Sequence, residues 1–279
     1  MADIIDDLPA AIERNTLEYW RAVCPHLPDA EFHDGPEATW FRSSVPFFPF
    51  NQIVRVSYAS GDADAAIDHL LARFQSRGLP FCWNVGPASQ PSDLAARLAS
   101  RSPAHSSSMP GMAVDLSQPL VTPPSPAGLV IERVRDAAAL DRWAQAYRDC
   151  FDLSESFVAT LRNVYAGIGF QESAPFRHYV GLLDGAPVAC STMFIGAGAC
   201  PERSRRVAAL WHIATLPSKR KRGIGAALTL APLRDAQALG HRFGVLYASD
   251  MGTPLYHRLG FREHFRIAQY GWQYEGPGV

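Results

Sequence analysis

Between Ile213 and Ala226 an apolar run meets four consecutive basic residues, Lys219, Arg220, Lys221 and Arg222, and then Gly223-Ile224-Gly225, which opens a long apolar stretch. Read locally, this is a strand, a turn and a helix N-terminus. Glycine lets the backbone come close to a ligand, and the first helical turn has N–H groups with no partner inside the helix and the positive end of the dipole behind them. Basic side chains just before that turn add charge and forked donors. The order predicts a cradle for a pyrophosphate; a solvated basic loop with an ordinary glycine turn is the plainer alternative. Two phosphate-binding folds are excluded. A P-loop needs Gly-Lys followed by Ser or Thr, whereas Ala226-Ala227 follows Gly225 here. A dinucleotide fingerprint needs a third glycine and an acidic residue about 20 positions on.

Composition narrows the class. A chain of 279 residues with 47% hydrophobic and 19% charged residues has apolar material for two cores and too little charge for disorder. The formal net charge of -1 gives no global field for nucleic acid or an anionic membrane, so the basic run suits one phosphorylated ligand. Cys24, Cys82, Cys150, Cys190 and Cys200 are scattered without C-x-x-C spacing, which predicts reduced thiols and no metal site. The first residues, Met-Ala-Asp-Ile-Ile-Asp-Asp, are acidic where a signal peptide would be basic, and no run approaches the roughly 18 apolar residues of a membrane span. These features predict a cytoplasmic protein.

The proline-rich stretch 122–128 reads as a connector between an N-terminal α/β domain, 1–121, and a C-terminal domain, 129–279. After it come a strand at 129–134, helices at 137–151 and 156–168, and strands at 178–183 and 188–195 joined by the turn pair Asp184-Gly185. A strand at 207–215, a helix at 224–239 closed by Gly240, a strand at 243–248, a short helix at 254–259 and a strand at 265–270 complete it. Pro232 lies well inside the 224–239 helix and predicts a kink without a functional role. In the first half, strands at 53–58, 79–85 and 112–116 alternate with helices at 63–77 and 92–99, and the Ser- and Pro-rich segment 100–111 reads as a surface loop. The aromatic segment Trp40–Phe50 reads either as core or as the lining of a cleft.

Several motifs in this order resemble the GNAT N-acetyltransferases: Arg220-Lys221-Arg222-Gly223-Ile224-Gly225, then Val245–Ser249, then Leu255-Tyr256-His257-Arg258-Leu259-Gly260-Phe261. The resemblance implies a mixed, mostly antiparallel sheet flanked by helices, with the N-terminal α/β domain as a degenerate copy lacking a basic Gly-x-Gly. It also implies that acetyl-CoA is the acyl donor, its pantetheine arm entering between the fourth and fifth strands. Backbone groups of Ile213, Ala214 and Thr215 would then meet the arm, and Arg220, Lys221, Arg222, Gly223, Ile224, Gly225 and Ala226 the pyrophosphate. Ser249 stands where many members carry an asparagine that contacts the arm. Tyr256 matches the family's usual acid, and a phenol of pKa about 10 can give a proton to a departing thiolate.

The base is open. His212 lies on the strand with a suitable intrinsic pKa, although alternation puts Trp211 and His212 on opposite faces unless a bulge intervenes. Glu132 and Glu172 are weaker candidates. Trp143, Tyr147, Phe151, Phe157 and Tyr165 provide either acceptor-site surface or core packing. The expected activity is direct acetyl transfer to a primary amine of a small molecule or peptide, without metal, nucleic acid or membrane. Two alternatives stand beside it: a non-catalytic acyl-CoA sensor or scaffold, and a related enzyme joining amino-acid-like pieces in thiol biosynthesis.

Overall fold

The computed structural model describes residues 8–101, 103–196 and 207–272; Cys200 and the acidic first residues lie outside that set. The elements begin with α1 (Leu8–Val23), β1 (Glu31–Asp34), β2 (Ala38–Arg42), β3 (Gln52–Val56), α2 (Ala63–Gln75), β4 (Phe81–Val85), α3 (Leu94–Ala99) and β5 (His105–Asp115). They continue with β6 (Leu129–Arg133), α4 (Ala137–Phe151), α5 (Glu155–Ile168), β7 (Phe176–Leu183), β8 (Ala186–Phe194), β9 (Val207–Thr215), α6 (Ile224–Ala238), β10 (Phe243–Tyr247), α7 (Thr253–Arg258) and β11 (Arg262–Trp272). The mixed, mostly antiparallel α/β class expected from the sequence is what forms.

Two compact units result, Met1–Ala22 with Gly111–His264, and Val23–Pro110 with Phe265–Val279. Neither is continuous in sequence, unlike the 1–121 and 129–279 segments drawn from the connector. Strand pairing accounts for the difference. Gly111–Asp115 pair with β10, while Ala268–Trp272 pair with β4. The prolines at 122–128 pack within the first unit, where the Pro124 carbonyl lies against Gly223. The segment 100–111 is also corrected: His105 onward is strand, and Arg266 bonds the Ser108 hydroxyl and carbonyl. A Ser-rich composition disfavours a strand on its own, and pairing overrides it.

In the first unit the strands run β5–β10–β9–β8–β7–β6, antiparallel except for β9 beside β10. The Asp184-Gly185 hairpin has both residues at positive φ, 52° and 79°, as a turn matching the strand twist requires. Asp136 and Ser154 cap α4 and α5 through their side chains. Leu228, Leu233, Leu246, Met193 and Phe261 form the core between α6 and the sheet.

α6 runs unbroken through Pro232. A proline there leaves the Leu228 carbonyl without its helical donor. The buried Ser191 hydroxyl supplies one from β8, donating to Leu228 O at 2.8 Å. Ser191→Ala is therefore expected to lower stability by about 1–3 kcal/mol, the cost of a buried acceptor left unmade, readable from the midpoint of a urea transition.

Candidate active site

The site begins with an unfinished ladder. β9 and β10 pair in parallel only from Val207–Ala209 to Phe243–Val245, while β9 continues to Thr215 and β10 to Tyr247. Each strand keeps its other neighbour: β8 reaches Thr215, and β5 reaches Tyr247. Among the described residues, one edge of β9 from Leu210 to Thr215 thus has no strand partner, and its backbone donors and acceptors face a gap. Exposure rises where pairing stops: Leu210 is buried, but Trp211, His212, Ile213 and Thr215 are half-buried. Of the three residues expected to meet an extended ligand, Ile213 and Thr215 border this gap, while Ala214 is buried and pairs with Cys190.

The loop that follows closes one end of the gap. A short turn at Pro217–Lys219 leads to extended Arg220, whose guanidinium Nε donates to the Thr215 carbonyl at 3.1 Å. Lys221 at φ 60° and Gly223 at φ 83° turn the chain into α6, leaving Lys221 and Arg222 exposed. Ile224 and Ala226 anchor the first helical turn in the core. Gly225 faces the other way: a Cβ there would stand 3.3 Å from Leu255 Cδ2 and 3.6 Å from Thr215 Oγ1. Thr215, Gly225 and Leu255 therefore meet at the gap, where the helix backbone is bare of side chain. An anion can approach the first-turn N–H groups there.

Tyr256 follows Leu255 on α7 and is buried in the same apolar cluster as Ile224 and Ala226. Burial pushes its pKa up to about 12. Its ring packs over Gly252 and meets Phe261 at 5.7 Å, while its hydroxyl bonds to no described residue. A protonated, uncommitted phenol is what a proton donor needs. Ser249 builds the turn below: its carbonyl accepts from Gly252 N and Thr253 N at 2.9 Å, and its hydroxyl accepts from Gly252 N at 3.2 Å. The structure thus gives Ser249 a capping duty that the sequence did not show.

His212 sits on a β-bulge. Cys190 pairs with Ala214 and Thr192 with Trp211, so two residues of β9 oppose one of β8, and His212 takes φ 55°. The bulge cancels the alternation expected for Trp211 and His212. Tyr19 stacks on Trp211 at 4.0 Å, its hydroxyl bonds Tyr165 Oη at 2.9 Å, and Tyr165 Oη bonds His212 Nε2 at 3.3 Å. Tyr147 and Trp143 stack on the imidazole at 4.8 and 5.7 Å. Enclosure by these rings lowers the His212 pKa to about 3, and burial does the same to His178 nearby. So low a proton affinity disfavours the base role expected for His212.

The other candidate bases are engaged at the surface. Glu172 pairs with Arg133, Arg135 and Arg177, with the Arg133 hydrogen bond the main cause of its lowered pKa. Glu132 pairs with Arg142 at 2.8 Å. Of the five aromatics, Trp143, Tyr147 and Tyr165 are buried beside His212, whereas Phe151 and Phe157 are half-buried. Tyr19 was not foreseen, because Pro9 and the buried Asn15 obscure the apolar stripe of α1.

A gap between parallel strands, a glycine-opened helix start and a tyrosine beyond them are the parts that the sequence motifs foretold. Residues 133–263 match the family model for the acetyltransferase (GNAT) domain. This segment is a GNAT acetyltransferase domain. No curated protein matches the sequence significantly. Among solved structures, a GCN5-related N-acetyltransferase from Kribbella flavida is similar at 18% identity, covering 95% of this chain and 96% of its own with a TM-score of 0.68. A tandem GNAT protein from the clavulanic acid biosynthesis pathway is similar at 14% identity over 98% and 97%, TM-score 0.60. A GCN5-related N-acetyltransferase from Sphaerobacter thermophilus gives 17%, 97% and 93%, TM-score 0.58. At these identities the likeness is one of fold.

Among the described residues, the second unit carries no equivalent opening at the matching place. β3 and β4 also pair in parallel over a short stretch, Gln52 with Cys82 and Ile53 with Trp83. Beyond it the unit's own chain takes the edge of β3: Gln90 N donates to Val56 O at 3.0 Å, and Tyr58 N to Gln90 O at 3.1 Å. Asp62 and Asp64 stand at the start of α2, where the GNAT domain has Arg222 and glycines. A carboxylate at a helix N-terminus already satisfies the dipole and repels phosphate. The four described cysteines, Cys24, Cys82, Cys150 and Cys190, are free and buried. Among the described residues no helix is long and apolar enough to cross a membrane.

Proposed function

We propose that this chain transfers an acetyl group from acetyl-CoA to a primary amine of a small molecule or peptide. The observation that carries this reading is the half-paired β9–β10 ladder with Gly225 bare at its mouth. An extended pantetheine arm can bond the open edge at Ile213, Ala214 and Thr215 as an added strand does. The pyrophosphate then meets N–H groups from Gly223 to Ala226, with Lys221 and Arg222 exposed to add charge and Ser249 near Tyr256 as a further polar contact.

In the reaction, the lone pair of the neutral amine attacks the thioester carbonyl carbon and the C–S bond breaks. Tyr256 gives its proton to the sulfur, the new amide nitrogen sheds its own proton to water, and water returns one to the phenolate. His212, with its lowered pKa, stays neutral and shares a hydrogen bond with Tyr165; we assign it a positioning role. A cytoplasmic setting, where thiols stay reduced, suits the free buried cysteines.

Calorimetric titration tests this reading. Acetyl-CoA is expected to bind with one equivalent per chain, because the matching edge in the second unit is taken by Gln90. Two equivalents would show that the second unit also binds, and no heat of binding would overturn the donor assignment.

A further inference from the structure

The bulge in β9 decides more than where the His212 ring points. Leu216 N donates to Val188 O at 2.9 Å, so alternation along β9 turns the backbone of Ala214 toward β8 and that of Ile213 and Thr215 toward the gap. Arg220 Nε on the Thr215 carbonyl agrees with that phase. Before the bulge Trp211 opposes Thr192, and after it Ala214 opposes Cys190. Without the extra residue Ile213 would oppose Cys190, and every later residue of β9 would exchange edges. Ala214 would then face the gap, and Ile213 and Thr215 would turn to β8. The Thr215 side chain would also leave its place beside Gly225.

A non-glycine residue keeps a positive φ where its surroundings hold it there. His212, at φ 55°, is held from three elements. From α4, Tyr147 and Trp143 stack on the imidazole with their planes tilted by 19° and 30°. From α5, Tyr165 Oη bonds Nε2 at 3.3 Å, and from β8 the Cys190 thiol donates to the His212 carbonyl at 3.3 Å. The Tyr165 hydroxyl is fixed in turn by Tyr19 Oη at 2.9 Å, and both tyrosines are buried. Tyr19 also stacks on Trp211, the residue just before His212. A hydrogen-bonded pair of phenols from α1 and α5 thus grips β9 where its phase changes.

We propose that Tyr165, backed by Tyr19, is a positioning residue that holds the His212 bulge and so selects which backbone groups of β9 face the gap. Ile213 and Thr215 are then the groups offered to an extended donor, while Ala214 serves β8. The inference rests on the acetyl-CoA reading for what fills the gap, but the phase of β9 can be read without any ligand.

Amide hydrogen exchange on the full chain, read at Ile213 and Ala214 without ligand, tests the clamp. In wild type Ala214, turned to β8, is expected to exchange at least about tenfold more slowly than Ile213. Tyr165→Phe should cut that ratio severalfold, and His212→Val, whose branched side chain resists a positive φ, should abolish or invert it. Glycine accepts φ 55° without a clamp, so Tyr165→Phe added to His212→Gly should have no further effect on the ratio. Calorimetry should show acetyl-CoA affinity lowered about tenfold by Tyr165→Phe alone. Added to His212→Gly, the same change should shift affinity by less than about twofold. A purely structural tyrosine would lower stability alike on both backgrounds and leave exchange ratio and affinity where they were. An exchange ratio unchanged by Tyr165→Phe and by His212→Val overturns the proposal, as does a lost ratio with undiminished acetyl-CoA affinity. The expected exchange pattern in a protein that binds no acetyl-CoA overturns the donor assignment alone and leaves the clamp standing.

Discussion

Tyr256→Phe is expected to lower kcat by about 100-fold or more, the range for removing a general acid, while acetyl-CoA affinity stays within about twofold. The separation follows from the geometry. The ring is buried against Phe261 and over Gly252, and phenylalanine keeps those contacts. The hydroxyl bonds to no described residue, so its removal leaves no orphaned partner and the variant should fold normally. A pKa of about 12 keeps the phenol protonated through the neutral range, so the loss should be independent of pH between about 6 and 9. Steady-state kinetics with thiol detection, paired with a calorimetric titration, gives both quantities. Equal kcat in the two proteins would remove Tyr256 from the chemistry. A wild type that binds acetyl-CoA and acetylates no amine would instead favour a sensor.

Much of the GNAT domain was legible because its local signals agree with one another. Ala137–Phe151 has the bounds that its Asp136 cap and apolar spacing predict, and Val207–Thr215 those of its apolar run. The turn into α6 was legible for the same reason, since backbone conformation at Gly223 and close approach at Gly225 are written directly as glycine. What stayed hidden depends on partners distant in sequence. The exchange of β5 and β11 between the units follows from pairing, and composition carries no trace of a partner. The bulge at His212 has no residue-level signal, because a histidine at positive φ is held there by the strands around it. The same enclosure converts a histidine of suitable intrinsic pKa into one with little affinity for a proton. α1 was missed because its buried face carries Asn15, a polar residue at an apolar position.

Gly225→Trp is expected to abolish acetyl-CoA binding, a loss of at least about 100-fold in affinity, without unfolding the protein. Gly225 is in a helix, so tryptophan meets no backbone restriction there, and the substitution gives up no favourable contact. Its Cβ would lie 3.3 Å from Leu255 Cδ2, a distance that a flexible side-chain end can relax by a few tenths of an ångström. Beyond Cβ, the indole has only the space bordered by Thr215 and Leu255, the space through which an anion must reach the first turn of α6. Blocking it removes the helix N–H groups from the ligand and covers the open edge of β9 at Thr215. A thermal transition within a few degrees of wild type, together with lost binding, is the expected pair of results. Retained acetyl-CoA binding in a folded Gly225→Trp protein would place the donor elsewhere than in the β9–β10 gap, and the shape of that gap would then need another ligand.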